Sequence, residues 1–192
     1  LRYDGEALPP ILASEIAEKG TIEKARTIYC GSFSKTLAPG LRVGWVCAAK
    51  PVISRLVLMK QASDLHSATI NQMVVHEAAE NCFEAHVAKL RAAYGAKRDK
   101  MLAELEKHMP KSIRWSKPEG GMFVWLTLPA HIDGTQLLAD AIKTRKVAFV
   151  PGRAFFADGS GANTIRLNFS MPDNKAIEEG IERLGALLKE RV

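Results

Sequence analysis

Gly31-Ser32-Phe33-Ser34-Lys35-Thr36-Leu37-Ala38-Pro39-Gly40-Leu41-Arg42-Val43-Gly44-Trp45 is the stretch that decides how the rest of this 192-residue chain is read. A lysine stands between two small hydroxyl residues and a Pro-Gly break, and an arginine follows at position 42. Apolar segments flank both ends, Thr27-Ile28-Tyr29-Cys30 before and Val43-Gly44-Trp45-Val46-Cys47 after. The pattern predicts a loop held between two strands, with Thr27–Cys30 and Val43–Ala48 running as apolar strands buried on both faces of a sheet.

An amine with an ordinary pKa of about 10.4 is almost wholly protonated near neutrality. It becomes a nucleophile only where desolvation or a neighbouring cation disfavours the charge. Lys35, rooted between apolar strands and near Arg42, suits that role. Ser32, Ser34, the backbone amides of a Gly-containing turn and the permanent charge of Arg42 suit a phosphate group. Together they describe a site for a phosphorylated carbonyl compound, with Lys35 forming the imine. On spacing alone a plainer account stays open, in which Lys35 is a surface lysine in a turn and Arg42 a strand-edge charge.

Two other motifs fail. Ser34-Lys35-Thr36 has the tail of a phosphate-binding P-loop, but Tyr29 and Ser34 stand where that loop needs glycines. Ser32-Phe33-Ser34-Lys35 has the serine-x-x-lysine spacing of penicillin-binding enzymes, yet neither companion motif of those enzymes occurs in the chain.

Composition narrows the field further. Hydrophobic residues make up 47% and charged residues 25%, an ordinary globular balance with no apolar run long enough to span a membrane. Cys30, Cys47 and Cys82 are odd in number and lack metal-ligand spacing, which points to free thiols and a cytoplasmic location. The net charge of +6 is spread among acids, as in Glu104-Leu105-Glu106-Lys107, so no nucleic acid is expected to bind this chain itself. His66, His76, His86 and His108 are spaced too widely to gather on one helix face, and no metal site is expected.

Along the chain, helices are predicted over Ile11 to Lys19, with Gly20 as its stop, and from Pro51 until Ser63 to Thr69 interrupts. A long amphipathic stretch follows, with Phe83, Val87, Leu90, Tyr94, Met101 and Leu105 on one face until Pro110. After the Pro118-Glu119-Gly120-Gly121 turn, Met122, Val124, Leu126 and Leu128 alternate with Phe123, Trp125 and Thr127 as a half-buried strand. A helix over Thr135 to Arg145, a short strand at Val147 to Val150, a turn at Pro151-Gly152 and a strand over Asn163 to Phe169 come next. The last helix places Ile177, Ile181, Leu184 and Leu188 on one face, with Ser170 or Asp173 as its cap.

Arg166 lies inside the apolar run Thr164-Ile165-Arg166-Leu167-Asn168-Phe169. Burying a guanidinium is costly unless it meets an anion, and its forked geometry suits a carboxylate. The alternative is an edge-strand arginine pointing to solvent. Phe155 and Phe156 are candidates for pocket walls or for core.

The quoted segment from Gly31 to Trp45 resembles the cofactor-lysine segment of fold-type I pyridoxal-phosphate enzymes, in the class I/II aminotransferase family, nearest the 2-aminoadipate aminotransferase branch. The resemblance implies an α/β fold: the end of a large domain with a mostly parallel sheet, followed by a small α/β sandwich. The expected boundaries are 1–50 for the cofactor-binding part, 51–83 for interdomain helices and 84–192 for the small domain. It implies pyridoxal 5′-phosphate as cofactor, Lys35 as the catalytic residue carrying the internal aldimine, and Ser32, Ser34 and Arg42 around the cofactor phosphate. Arg166 looks like the arginine that grips the substrate α-carboxylate. Amino acids and 2-oxo acids, 2-oxoglutarate among them, are the implied substrates, and a homodimer the implied assembly, with Asn71 near a neighbouring subunit's site. The family's aspartate for the pyridinium nitrogen would lie just before Leu1, so the chain is expected as the C-terminal portion of a longer enzyme, inactive alone if that partner is needed. Tyr3 and Asp4 are expected as loop residues. The same domain also occurs in GntR-type transcription regulators of the MocR kind, so a cofactor-sensing effector domain is the alternative function.

Overall fold

In the computed structural model, which describes residues 1–192, the chain divides into two units. One comprises Leu1 and Gly5–Leu90, the other Arg2–Asp4 and Arg91–Val192. No helix is long and apolar enough to cross a membrane.

The first unit opens with α1 (Ile11–Lys19), which ends where the sequence stops it: Gly20 turns left-handed at φ 77° and its N–H reaches the Ile16 carbonyl. Leu12 is the residue α1 buries, whereas Ile11 is 77% exposed. Glu15 on this helix pairs with Lys19 and accepts from the backbone N–H groups of Arg26 (3.0 Å) and Thr27 (2.8 Å), fastening the segment that leads into β1 (Tyr29–Ser32). These bonds, the Lys19 contact first among them, hold the Glu15 carboxyl well below the usual carboxylate range.

β1 pairs antiparallel with β2 (Gly44–Cys47), with Tyr29 opposite Cys47 and Ser32 opposite Gly44. The expected burial on both faces is not found: Tyr29, Trp45 and Val46 are exposed. The two strands form a sheet by themselves, so neither has a third strand or second layer of this chain to pack against. Helices α2 (Lys50–Ser63) and α3 (Thr69–Asn81) follow, the first with no buried residue and the second with Val75 alone. Cys82 breaks the run before α4 (Phe83–His108), so the amphipathic stretch is interrupted at its start. Val87, Met101 and Leu105 on α4 are buried as its periodicity predicts.

The second unit has its core under a four-stranded antiparallel sheet in the order β3-β4-β6-β5: β3 (Arg114–Trp115), β4 (Phe123–Thr127), β5 (Val150–Pro151) and β6 (Thr164–Asn168). Alternation sorts the faces: Val124, Leu126, Ile165 and Leu167 are buried together with Leu105, Phe169, Leu184 and Leu188. α6 (Asn174–Lys189) contributes Ile177, Ile181, Leu184 and Leu188, all buried, and its first turn is capped by Asp173, which accepts from Ala176 N at 2.8 Å. The predicted helix over 135–145 is α5 (Gly134–Asp140) continued by one wider π-turn, Ala141–Arg145. Lys100 ties α4 to α6 by bonding Glu104 (2.8 Å) and Glu178 (2.9 Å).

Tyr3 and Asp4 lie outside helix and strand, as expected, but are tied down. Arg2 pairs with Glu119, Tyr3 N donates to the Glu119 carbonyl at 2.7 Å, and the Tyr3 hydroxyl donates to the Gly121 carbonyl. Arg98, only 7% exposed, pairs with Asp4 and Asp99, donates to the Pro118 carbonyl at 3.0 Å and lies over the Tyr3 ring. The short segment Arg2–Asp4 is thereby clipped onto the turn that introduces β4.

Candidate functional site

The hairpin β1–β2 places one group of polar residues at its closed end. Phe33 N donates to the Val43 carbonyl at 3.1 Å, extending the ladder past Ser32, and the chain then makes a 3-10 turn over Phe33–Lys35, with Leu37 N bonding the Phe33 carbonyl at 2.8 Å. A second 3-10 turn, Pro39–Leu41, carries the chain back. Arg42 closes it in a left-handed conformation, φ 53°, with its Nη1 donating to the Pro39 carbonyl at 3.0 Å. A non-glycine residue held there costs about 1–3 kcal/mol, a strain that collects at functional loops. The Asn71 side-chain amide on α3 donates to the Leu41 carbonyl at 3.0 Å, buttressing the loop from within its own unit.

Ser32, Ser34, Lys35 and Arg42 therefore share one loop. Ser32, Lys35 and Arg42 are exposed and Ser34 is half-buried, so Lys35 is open on the loop and not enclosed between strands as the sequence pattern suggests. The ion pairs of this unit are Lys19 with Glu15 and Lys60 with Asp64, which leaves the charges of Lys35 and Arg42 unmatched. Two hydroxyls, an amine and a guanidinium with no carboxylate among them form a donor set for an anion. The hairpin beneath is shaped by Trp45, whose indole lies across Gly31 and meets Tyr29 edge to face at 4.9 Å.

The second group stands in the other unit, on the sheet face away from its core. Arg166 is on β6, an inner strand, with Trp125 of β4 on one side and Val150 of β5 on the other, which rules out the edge-strand reading. Its Cζ lies 4.0 Å from the Phe123 ring centroid and 4.5 Å from that of Phe155. Its Nε is buried without a hydrogen-bond partner. A buried guanidinium N–H without an acceptor is a costly arrangement, and the chemical group that would relieve it is an anion. Phe155 arrives on the turn Gly152–Phe155, which crosses close over the sheet because Gly152 has no side chain: a Cβ there would run into the Thr164 hydroxyl and the Trp125 ring. Phe155 and Phe156 stand 5.7 and 6.1 Å from Trp125, exposed and outside the core.

Sequence reasoning missed the roles of Phe123, Gly152 and Asn71 around these groups. The alternation of β4 puts Phe123 on the Arg166 face and was a usable signal; the pairing of Asn71 with Leu41 leaves none. His66 and His131 bond the backbone carbonyls of Ser67 and Arg191, and His108 lies 3.2 Å from Glu104.

Residues 8–184 match the family described as aminotransferase class I and II. The aromatic-amino-acid aminotransferase 1 of Thermococcus litoralis is 44% identical over 193 residues, spanning 100% of this chain and 44% of the relative. The 2-aminoadipate transaminase of Thermus thermophilus is 43% identical over 187 residues, 97% of this chain and 46% of the relative. Among solved structures, the alpha-aminoadipate aminotransferase LysN of Thermus thermophilus, complexed with N-(5′-phosphopyridoxyl)-L-leucine, superposes with a TM-score of 0.90 at 42% identity, over 98% of this chain and 48% of the other. A more distant relative, the HTH-type transcriptional regulator NorG of Staphylococcus aureus, is 33% identical over 165 residues, 85% of this chain and 37% of the relative. The chain spans about half the length of the curated relatives it matches.

Proposed function

The chain belongs to the class I and II aminotransferase family, and on that premise we propose that it is part of a pyridoxal 5′-phosphate-dependent transaminase that moves an amino group from an amino acid to a 2-oxo acid, 2-oxoglutarate. The observation that carries the reading is the gathering of Ser32, Ser34, Lys35 and Arg42 on one loop with no carboxylate paired to either charge. The phosphopyridoxyl compound bound in the Thermus structure supports the choice of cofactor.

Ser32, Ser34 and Arg42 would hold the cofactor phosphate, since hydroxyl and guanidinium donors bond phosphate oxygens and Arg42 adds a charge that pH does not remove. Lys35 would attach the cofactor through Nζ. When bound, pyridoxal phosphate supplies an electron sink for the charge left at the substrate Cα. With its Nζ free, Lys35 would be the base that takes the substrate Cα proton. Arg166 would hold the substrate α-carboxylate through its guanidinium, which no acidic residue of the chain pairs. Asn71, through the Leu41 carbonyl, steadies the loop that presents Arg42. A homodimer and a cytoplasmic location complete the proposal, the latter supported by three unpaired cysteines.

The test is to add pyridoxal phosphate to the chain, reduce with borohydride and map the modified peptide by mass. Label on Lys35 that disappears in Lys35→Ala supports the assignment; label scattered over other lysines sinks it. A second reading, a cofactor-sensing effector domain of a GntR-type regulator, is favoured by the likeness to NorG. Single-turnover formation of a 2-oxo acid by the longer protein separates the two: a regulator binds the cofactor and releases no keto product.

A further inference from the structure

We propose that Phe123 and Phe155 are positioning residues that fix the plane of the Arg166 guanidinium and so set its affinity for a carboxylate; this rests on the reading of Arg166 given above. An arginine head group on a flexible stem is normally held by carboxylates or carbonyls. Arg166 has neither: it forms no ion pair, and its Nε has no acceptor within the protein. What surrounds its Cζ instead is one ring at 4.0 Å and another at 4.5 Å. A cation over a ring face is attracted by the ring quadrupole, and a planar guanidinium also stacks there. Rings that occupy the flat side of the group leave the edge formed by its two terminal nitrogens, which bond nothing in the chain, clear of them. That edge is the one a carboxylate engages in a bidentate pair.

The fold delivers both rings on purpose-built backbone. Trp125 is the register partner of Arg166, so Phe123, two positions earlier on β4, sits diagonally from it on the same sheet face. Phe155 comes from the turn after β5, close above the sheet because Gly152 allows it, and is propped edge-on by Trp125 at 5.7 Å. Phe155 is 51% exposed and Phe123 36%, so neither ring serves the core, whose members lie on the opposite face. Two partly exposed aromatic side chains beside one unpartnered guanidinium have the Arg166 contact as their common feature.

The experiment uses the 192-residue chain labelled with ¹⁵N-arginine, with the Arg166 Nε–H resonance identified by its loss in Arg166→Met. Phe155→Leu and Phe123→Leu keep apolar bulk and remove the ring; Phe155→Tyr keeps the ring. Circular dichroism confirms that each variant is folded. In the wild type the Nε–H signal is expected upfield, shifted by the rings, with a heteronuclear NOE typical of an ordered group. Both properties should fall in each leucine variant and survive in Phe155→Tyr. Titration with 2-oxoglutarate should show half-saturation about three- to tenfold higher in the leucine variants, the scale of one cation–ring contact. Unchanged order and unchanged half-saturation in both leucine variants would overturn the clamp. A wild-type Arg166 signal that ignores 2-oxoglutarate would overturn the carboxylate reading instead, and the NOE series then decides the clamp by itself.

Discussion

Gly31 and Trp45 are register partners across β1 and β2, and the indole of Trp45 lies over the bare backbone of Gly31. The hairpin under the loop that carries Lys35 and Arg42 thus depends on the absence of a side chain at one position. Gly31→Ala puts a methyl where the indole rests. We expect Trp45 to be displaced from its edge-on contact with Tyr29 and the first unit to lose about 1 kcal/mol, the low end for overpacking because Trp45 is partly exposed and can swing away. Near-ultraviolet circular dichroism and thermal melts report both; an unaltered spectrum would contradict the packing described.

Asn71→Ala removes the donor to the Leu41 carbonyl. The expected cost is about 0.5–1.5 kcal/mol, and its location is diagnostic. Hydrogen exchange should accelerate at Leu41 and Arg42, whose amides bond within the adjacent turn, while amides of α6 stay protected. Uniform acceleration through the chain would mean that Asn71 has no local role.

Acid should loosen the first unit through Glu15. Its carboxyl is held low by Lys19 first and then by the Thr27 and Arg26 contacts, so the folded value lies below the unfolded value of about 4.3. The sign follows directly: the contribution is fully present above the unfolded value and is lost as pH falls below it toward the folded value. Glu15→Gln should flatten that part of the stability profile below about pH 4.5. A variant whose acid profile tracks the wild type would show that the contact is not formed in solution.

Gly152→Ala tests the turn over the sheet. A Cβ there meets the Thr164 hydroxyl and Trp125, both fixed in the sheet, so the turn must lift. About 1–3 kcal/mol of destabilisation is expected in the second unit, with Phe155 moved away from Arg166. Nuclear Overhauser contacts from the Phe155 ring to Trp125 are the direct readout; their persistence would show that the turn accommodates the methyl.

Much of the second unit was legible. The 3.6-residue spacing of Ile177, Ile181, Leu184 and Leu188 located α6, and the two-residue alternation of Val124 and Leu126 located the core face of β4, because both elements bury one side against partners within this chain. α1 was legible to the residue through Gly20. Burial of β1 and β2 was misjudged for the complementary reason: Tyr29, Trp45 and Val46 are apolar enough for a sandwiched strand, but hydrophobicity alone does not say whether the covering layer is supplied by the same chain. The break at Cys82 and the two-residue strand β3 carry no proline or glycine signal. At the candidate sites, Lys35, Arg42 and Arg166 stood out in the sequence by residue type and pattern. Of the residues around them, Phe123 could have been placed by the alternation of β4, whereas Asn71 and Gly152 act through tertiary proximity that spacing does not encode.

The clip of Arg2–Asp4 onto the second unit sets an order of events during synthesis. Arg2 and its partner Glu119 stand 117 positions apart, and everything from Gly5 to Leu90 belongs to the other unit. A chain made from its N-terminus produces Arg2, Tyr3 and Asp4 long before Arg98 or the Pro118–Gly121 turn exists to receive them. Their partners become available only after Gly5–Leu90 has been translated. Closing so long a loop costs little more than closing one half its size, so lateness and not distance is the obstacle. Tyr3 can meet Phe169, whose ring lies 6.4 Å from its own, only after that late residue has been made.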